Sequence, residues 1–136
     1  MDRDEGQSAG APATLDGRRI LIVEDSPVVA QACEDMLRDM GCVPVGPAIN
    51  MATALQLATD EALDAAVVDI NIRGGKAFPV LKILADRGIP FLLASGYADW
   101  SMPDEWQGHP RLAKPFSPHL LRNSLTDLLP PPQPEG

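Results

Sequence analysis

Three short runs in which every residue is apolar constrain this chain more than any other feature: Ile20-Leu21-Ile22-Val23, Ala65-Ala66-Val67-Val68 and Phe91-Leu92-Leu93-Ala94. A strand with one wet face alternates polar and apolar residues. Unbroken runs instead predict strands covered on both faces, as in a parallel sheet packed between helices. The stretches between them carry helical signals. Ser26 is placed as an N-cap with Pro27 at the first helical position. Val28, Val29, Ala32, Cys33, Met36, Leu37 and Met40 follow on one face, and Gly41 ends the helix.

Residues 43–48 read as a strand interrupted by Pro44, hence near an edge. Asn50 opens a second helix carrying Ala54, Leu55, Leu57, Ala58 and Ala62, and residues 77–86 form a third, stopped by Arg87-Gly88. Arg111-Leu112-Ala113 is a short fifth strand, followed by Ser117, Pro118 and a last helix with Leu121, Leu125 and Leu128 inward. Five strands alternating with helices predict an α/β chain with parallel pairing and right-handed crossovers. Residues 96–110 hold Gly96, Pro103, Gly108 and Pro110, so the fourth helix is short or irregular.

The length of 136 residues suits one domain and a core that needs no disulfide or metal. That domain is expected over residues 18–129, between a disordered tail, 1–17, and a proline-rich tail, 130–136, with no output domain after it. Eleven Lys plus Arg against nineteen Asp plus Glu give a net charge of −8, which argues against nucleic-acid binding and adhesion to anionic membranes. No apolar stretch is long enough for a membrane span and no leader precedes the domain, so a soluble, cytoplasmic protein is expected. Cys33 and Cys42 are too few and wrongly spaced for a disulfide framework or a metal motif, and are read as reduced thiols, Cys33 buried.

In an open α/β sheet, ligands bind outside the carboxyl ends of the strands. Here the first strand ends at Glu24-Asp25, the third at Asp69 and the fourth at Ser95, while the fifth runs into Lys114-Pro115. Carboxylates about 4 Å apart repel by roughly 4 kcal/mol at an effective dielectric near 20, so such a rim calls for a cation. Oxygen ligands suit a hard ion, and Mg2+ is held by few carboxylates and keeps waters.

In this order and spacing, the motifs Glu24-Asp25, Asp69, Ser95-Gly96 and Lys114-Pro115-Phe116 resemble those of a response-regulator receiver domain. The resemblance covers residues 18–129 and implies a flavodoxin-like, doubly wound five-stranded parallel sheet. It implies a signalling module of a bacterial two-component phosphorelay rather than an enzyme. Asp69 would accept a phosphoryl group, with Asp25, Asp69 and the Asn71 backbone carbonyl on Mg2+ and Glu24 reaching it through water. Ser95 and Lys114 would each meet a phosphoryl oxygen. Ala94-Ser95-Gly96-Tyr97 after Gly88-Ile89-Pro90-Phe91 is similar to the stand-alone FATGUY receivers, with Ser95 in place of threonine. The implied partners are a sensor histidine kinase or histidine phosphotransfer protein and a downstream protein, the chain being a monomer or weak homodimer.

Arg111 stands three residues before Lys114, where most receivers carry a switch aromatic, so activation is expected to run through residues 96–110 instead. Tyr97 stands open between switch and packing roles. Trp100 and Trp106 are expected to anchor the irregular segment onto the sheet's helices, and His109 to be a loop residue. An aspartate-nucleophile phosphatase would carry a second Asp two residues after the nucleophile, and the chain has Asn71 there. A Gly-x-Gly-x-x-Gly or Walker loop after the first strand is missing, which argues against a nucleotide fold. A phosphorylation-independent adaptor is the remaining alternative, disfavoured because the five site positions hold competent residues.

Overall fold

The computed structural model describes residues 15–95 and 103–129. In chain order these form β1 (Arg19–Val23), α1 (Pro27–Asp39), β2 (Val43–Ala48), α2 (Met51–Asp60), β3 (Ala65–Asp69), β4 (Asn71–Ile72), β5 (Gly75–Lys76), α3 (Phe78–Asp86), β6 (Phe91–Ser95), β7 (Arg111–Ala113) and α4 (Pro118–Leu128). Three helices start on the side chains expected of them. Ser26 Oγ accepts from the Val29 N–H at 3.4 Å, Asn50 Oδ1 from Thr53 at 2.9 Å and Ser117 Oγ from Leu120 at 3.1 Å. Each cap satisfies an amide that the first helical turn would leave without a partner. The start of α3 is different, since Ala77 precedes it with no side-chain cap.

Five strands pair in parallel in the order β2-β1-β3-β6-β7, the flavodoxin-like order. The Pro44-bearing strand β2 is at an edge, as its missing N–H requires. All five residues of β3, the central strand, are buried. Alternate residues feed two cores. Ile20, Ile22, Val67, Leu92 and Ala94 pack against Cys33 and Leu37 of α1 and Leu121 and Leu125 of α4. Leu21, Val23, Ala66, Val68, Phe91 and Leu93 face Ala54 and Ala58 of α2 and Val80, Leu81 and Leu84 of α3. Strands with helices on both faces therefore read as continuous apolar runs.

Besides the end of α2 at Asp60, two residues short of Ala62, four features depart from the sequence reading. Val28 is 80% exposed, Ala32 is exposed, and Val29 and Met36 are half-buried, while Ala30 is buried. The apolar stripe of α1 is wider than the arc that touches the sheet. Its surplus, with Cys33, Lys114, Pro115 and Phe116, lines an open groove of about 550 Å³. Leu128 is only partly buried, and Leu129 closes the α4 side in its place.

Leu15, assigned to the N-terminal tail, is 1% exposed in the α1 and α4 core. The Cys42 thiol donates to its carbonyl at 3.3 Å, and the Gly17 N–H donates to the Gly41 carbonyl at 2.8 Å. Packing thus begins before residue 18. Gly41 has φ +86, and a side chain there would also meet the Asp16 carboxylate, so the turn after α1 needs glycine.

The fourth departure is an added antiparallel hairpin, β4 and β5, between β3 and α3. Beyond β6, the described part of the segment expected to be irregular, residues 103–110, includes a 3-10 turn at Asp104–Trp106. Trp106 anchors it, but onto the sheet, lying edge-on to Phe91 of β6 with ring centroids 6.0 Å apart. His109 stacks on the same ring at 4.5 Å. The tail residues 1–14 and 130–136, together with Gly96, Tyr97 and Trp100, lie outside the described residues. Among the described residues, no helix is long and apolar enough to cross a membrane.

Candidate functional site

The carboxyl ends of β1, β3 and β6 and the exit of β7 meet at one rim, bringing Glu24, Asp25, Asp69, Ser95 and Lys114 together as the strand ends predicted. Glu24 follows β1 directly, and its N–H donates to the Ala48 carbonyl of β2 at 3.0 Å. Its Oε2 accepts from the Ser26 N–H at 3.1 Å, which fixes the carboxylate against the start of α1. Asp69 is the last residue of β3, and its Oδ1 accepts from the Asn71 N–H at 3.2 Å. Ser95 ends β6 and is buried; its carbonyl accepts from the Lys114 N–H at 3.0 Å, tying the exit of β7 to its neighbour. The Lys114-Pro115 peptide bond is cis.

Lys114 reaches back across the rim. Its Nζ donates to Glu24 Oε1 at 3.0 Å and to Asp69 Oδ2 at 3.1 Å. Both carboxylate side chains are 6% exposed and the lysine side chain 22%, so water screens these pairs weakly. Burial, and then the charge of Glu24, push the Asp69 carboxyl up to about 6 against the opposing bonds from Lys114. Burial draws the Lys114 ammonium down, but its bonds to Glu24 and Asp69 outweigh this and leave it raised. The lysine stays charged at neutral pH. One ammonium faces more than one carboxylate, and the site keeps an excess of negative charge.

Oxygens of Glu24, Asp25 and Asp69 lie within 4.8 Å of one another, with Glu24 and Asp69 buried and Asp25 half-buried. An all-oxygen set with surplus negative charge fits a hard divalent cation such as Mg2+. A thiol takes no part. Burial holds the Cys33 thiol at about 12, so it is inert at neutral pH.

Two features escaped the sequence reading. Phe91, Trp106 and His109 form an aromatic cluster that no spacing rule joins. The β4 and β5 hairpin places Lys76 opposite Asn71, and the Lys76 ammonium donates to Asn71 Oδ1. The Gly74-Gly75 pair was its one available signal, since an X-Gly turn often closes a short hairpin.

Against known proteins, the profile of the response regulator receiver domain matches residues 20–126. No curated protein matches the chain. Among solved structures, SdrG from Sphingomonas melonis Fr1 is 41% identical with a TM-score of 0.72, the match covering 80% of this chain and 93% of that one. The receiver domain of the sensor histidine kinase PA1611 from Pseudomonas aeruginosa PAO1, described with a magnesium ion coordinated in its active site cleft, is 25% identical with a TM-score of 0.71 (82% of this chain, 97% of that one). The response regulator PhyR from Brucella abortus is 25% identical with a TM-score of 0.75; the match covers 90% of this chain and 51% of PhyR. A profile match over most of the length, a relative above 40% identity and an unbroken set of strand-end residues agree: the chain belongs to the response-regulator receiver family.

Proposed function

We propose that this chain is a stand-alone, cytoplasmic response regulator that accepts a phosphoryl group on Asp69 and passes the signal by protein contact or by acting as a phosphate sink. The donor would be a histidine kinase or a histidine phosphotransfer protein. The observation that carries the reading is the pair of hydrogen bonds that Lys114 donates to Glu24 and Asp69 beside the three-carboxylate cluster. Asp69, mostly ionised at neutral pH, would attack phosphorus as the nitrogen–phosphorus bond of a phosphohistidine breaks. An acyl phosphate would form and the imidazole would leave.

Phosphoryl transfer depends on positioning and on neutralising the equatorial oxygens more than on covalent help. Lys114 would turn from the Asp69 oxygen toward one of them, and the Ser95 hydroxyl would donate to another. Glu24, Asp25, Asp69 and the Asn71 carbonyl would hold Mg2+, which when bound supplies positive charge to the same group; the magnesium described in the PA1611 receiver supports that choice of ion. Turnover of a phosphate ester is disfavoured, because Asn71 offers no carboxyl to protonate a leaving group.

The reading is tested by incubating the full chain with a small acyl phosphate and measuring intact mass. One phosphoryl group per chain is expected with Mg2+ and none with a chelator. No labelling with Mg2+ would overturn it.

The metal also predicts a stability effect. At free Mg2+ of about 100 times the dissociation constant, mass action adds roughly 2.7 kcal/mol to the folded state. Thermal unfolding with and without Mg2+ is expected to show this gain, and Asp25→Asn to lose most of it. An Asp25→Asn chain that responds as strongly as the unchanged one would remove Asp25 from the metal site.

A further inference from the structure

A hairpin of two-residue strands is marginal by itself, yet β4 and β5 are pinned to the domain at several points. The Ala77 N–H donates to the Ile70 carbonyl at 2.7 Å, closing the base of the hairpin. Ile72 is buried in the α2 and α3 core. At the tip, the Arg73 carbonyl accepts from the Met51 N–H at 2.9 Å. Gly74 has φ +102, and a Cβ there would sit 2.8 Å from the Met51 Cβ, so backbone packs directly against the start of α2. The hairpin thus presents Asn71 and Lys76 as fixed cross-strand partners, two and seven residues after the phosphoacceptor.

We propose that Lys76 is a positioning residue that clamps the Asn71 amide by its oxygen and so prolongs the lifetime of the phosphoryl group on Asp69. The inference rests on the phosphoacceptor reading of that aspartate. An ammonium has only donors, so Asn71 must turn Oδ1 toward Lys76 and its Nδ2 donor end away. The Asn71 backbone N–H meanwhile donates to Asp69 Oδ1, so the clamped residue is bonded to the reacting carboxylate. Loss of the phosphoryl group is hydrolysis. A water oxygen bonds to phosphorus and the bond from phosphorus to the Asp69 oxygen breaks. The carboxylate is regenerated, and inorganic phosphate leaves with the water's proton passing to it or to solvent. A nearby acceptor that takes a hydrogen bond from that water would orient it for attack. With Oδ1 engaged by an ammonium, the amide is held out of that role. Lys76 is exposed, so replacing it leaves the core intact.

The test labels the full chain with a small acyl phosphate and Mg2+, removes the reagent and follows decay of the phosphorylated mass. Lys76→Met is expected to shorten the lifetime about fivefold, and Lys76→Arg, another donor-only cation, to keep it within about twofold. In an Asn71→Ala background, Lys76→Met is expected to change nothing further, since the clamp acts only through that amide. Unfolding temperatures of the Lys76 variants are expected to match that of the unchanged chain, which separates positioning from stability. Equal lifetimes for the unchanged chain and Lys76→Met, or an effect that persists without the Asn71 side chain, would overturn the clamp and leave the Asp69 assignment standing. Failure of the unchanged chain to label at all would overturn both.

Discussion

Asp69→Asn is expected to do two things at once: abolish labelling by an acyl phosphate and make the metal-free chain more stable at neutral pH. The first follows because an amide oxygen is not a nucleophile toward phosphorus under these conditions. The second follows from the carboxyl's raised pKa. Burial and the neighbouring Glu24 lift Asp69 from 3.8 to about 6, so the folded state holds its proton more tightly than the unfolded chain does. A raised pKa contributes stability that is present below the unfolded value and is lost as pH rises through the folded one. Above pH 7 the ionised carboxylate therefore costs the fold about 3 kcal/mol, which an uncharged asparagine avoids. Denaturant unfolding in a chelator is expected to show a gain of about that size at pH 7.5, falling to about 1 kcal/mol near pH 4.5, where the carboxyl is largely protonated in the fold. A gain equal at both pH values would mean that charge at Asp69 is not its source. The charge that the proposed acceptor role needs is the charge that costs the fold stability.

The bounds of β1, β3 and β6 were legible in the sequence because these strands are buried on both faces. A run such as Phe91-Leu92-Leu93-Ala94 admits no wet face and so leaves little choice of element. The partly exposed edge strands β2 and β7 were marked instead by Pro44 and by the run into Lys114-Pro115. Helix starts were legible because Ser26, Asn50 and Ser117 act on amides only three residues away. What escaped depends on partners distant in sequence. Leu15 is one apolar residue without periodicity, and its burial is decided by the pocket between α1 and α4. The inward arc of α1 was misjudged because the stripe carries more apolar residues than the sheet can cover. The β4 and β5 strands are too short to show any period.

The site followed the same division. Its members could be named from strand ends, since topology alone carries those positions to one rim. The wiring between them could not. Lys114 and Glu24 are 90 residues apart, and nothing local says that one ammonium bonds both Glu24 and Asp69. The lysine was expected to meet a phosphoryl oxygen, and the structure shows it bonded to the residue that would carry that group. The same cation thus neutralises the acceptor and lies next to where the product's charge would be.

Lys114→Met tests that double role and is expected to reverse the stability sign of the Asp69 variant. Removing one partner of a buried ion pair leaves uncompensated charge, typically destabilising by about 3–5 kcal/mol. Here the lysine is 22% exposed at its side chain, so water offsets part of the loss and about 3 kcal/mol at pH 7.5 is expected. The pH dependence comes from the acceptor, since the ammonium's raised pKa keeps it charged from acid to neutral pH. Asp69 takes up its proton as pH falls through about 6, which leaves less negative charge for the lysine to balance. The destabilisation is therefore expected to shrink on acidification. Divalent cation supplies positive charge at the same carboxylates, so Mg2+ is expected to stabilise Lys114→Met more than it stabilises the unchanged chain. Labelling by acyl phosphate is expected to fall sharply even at saturating Mg2+, because the ammonium that would meet a phosphoryl oxygen is gone. Denaturant unfolding at two pH values, with Mg2+ and with chelator, reads all of the stability terms. If Lys114→Met proved as stable as the unchanged chain in chelator, the bonds to Glu24 and Asp69 would contribute nothing net, and Lys114 would act on the phosphoryl group alone.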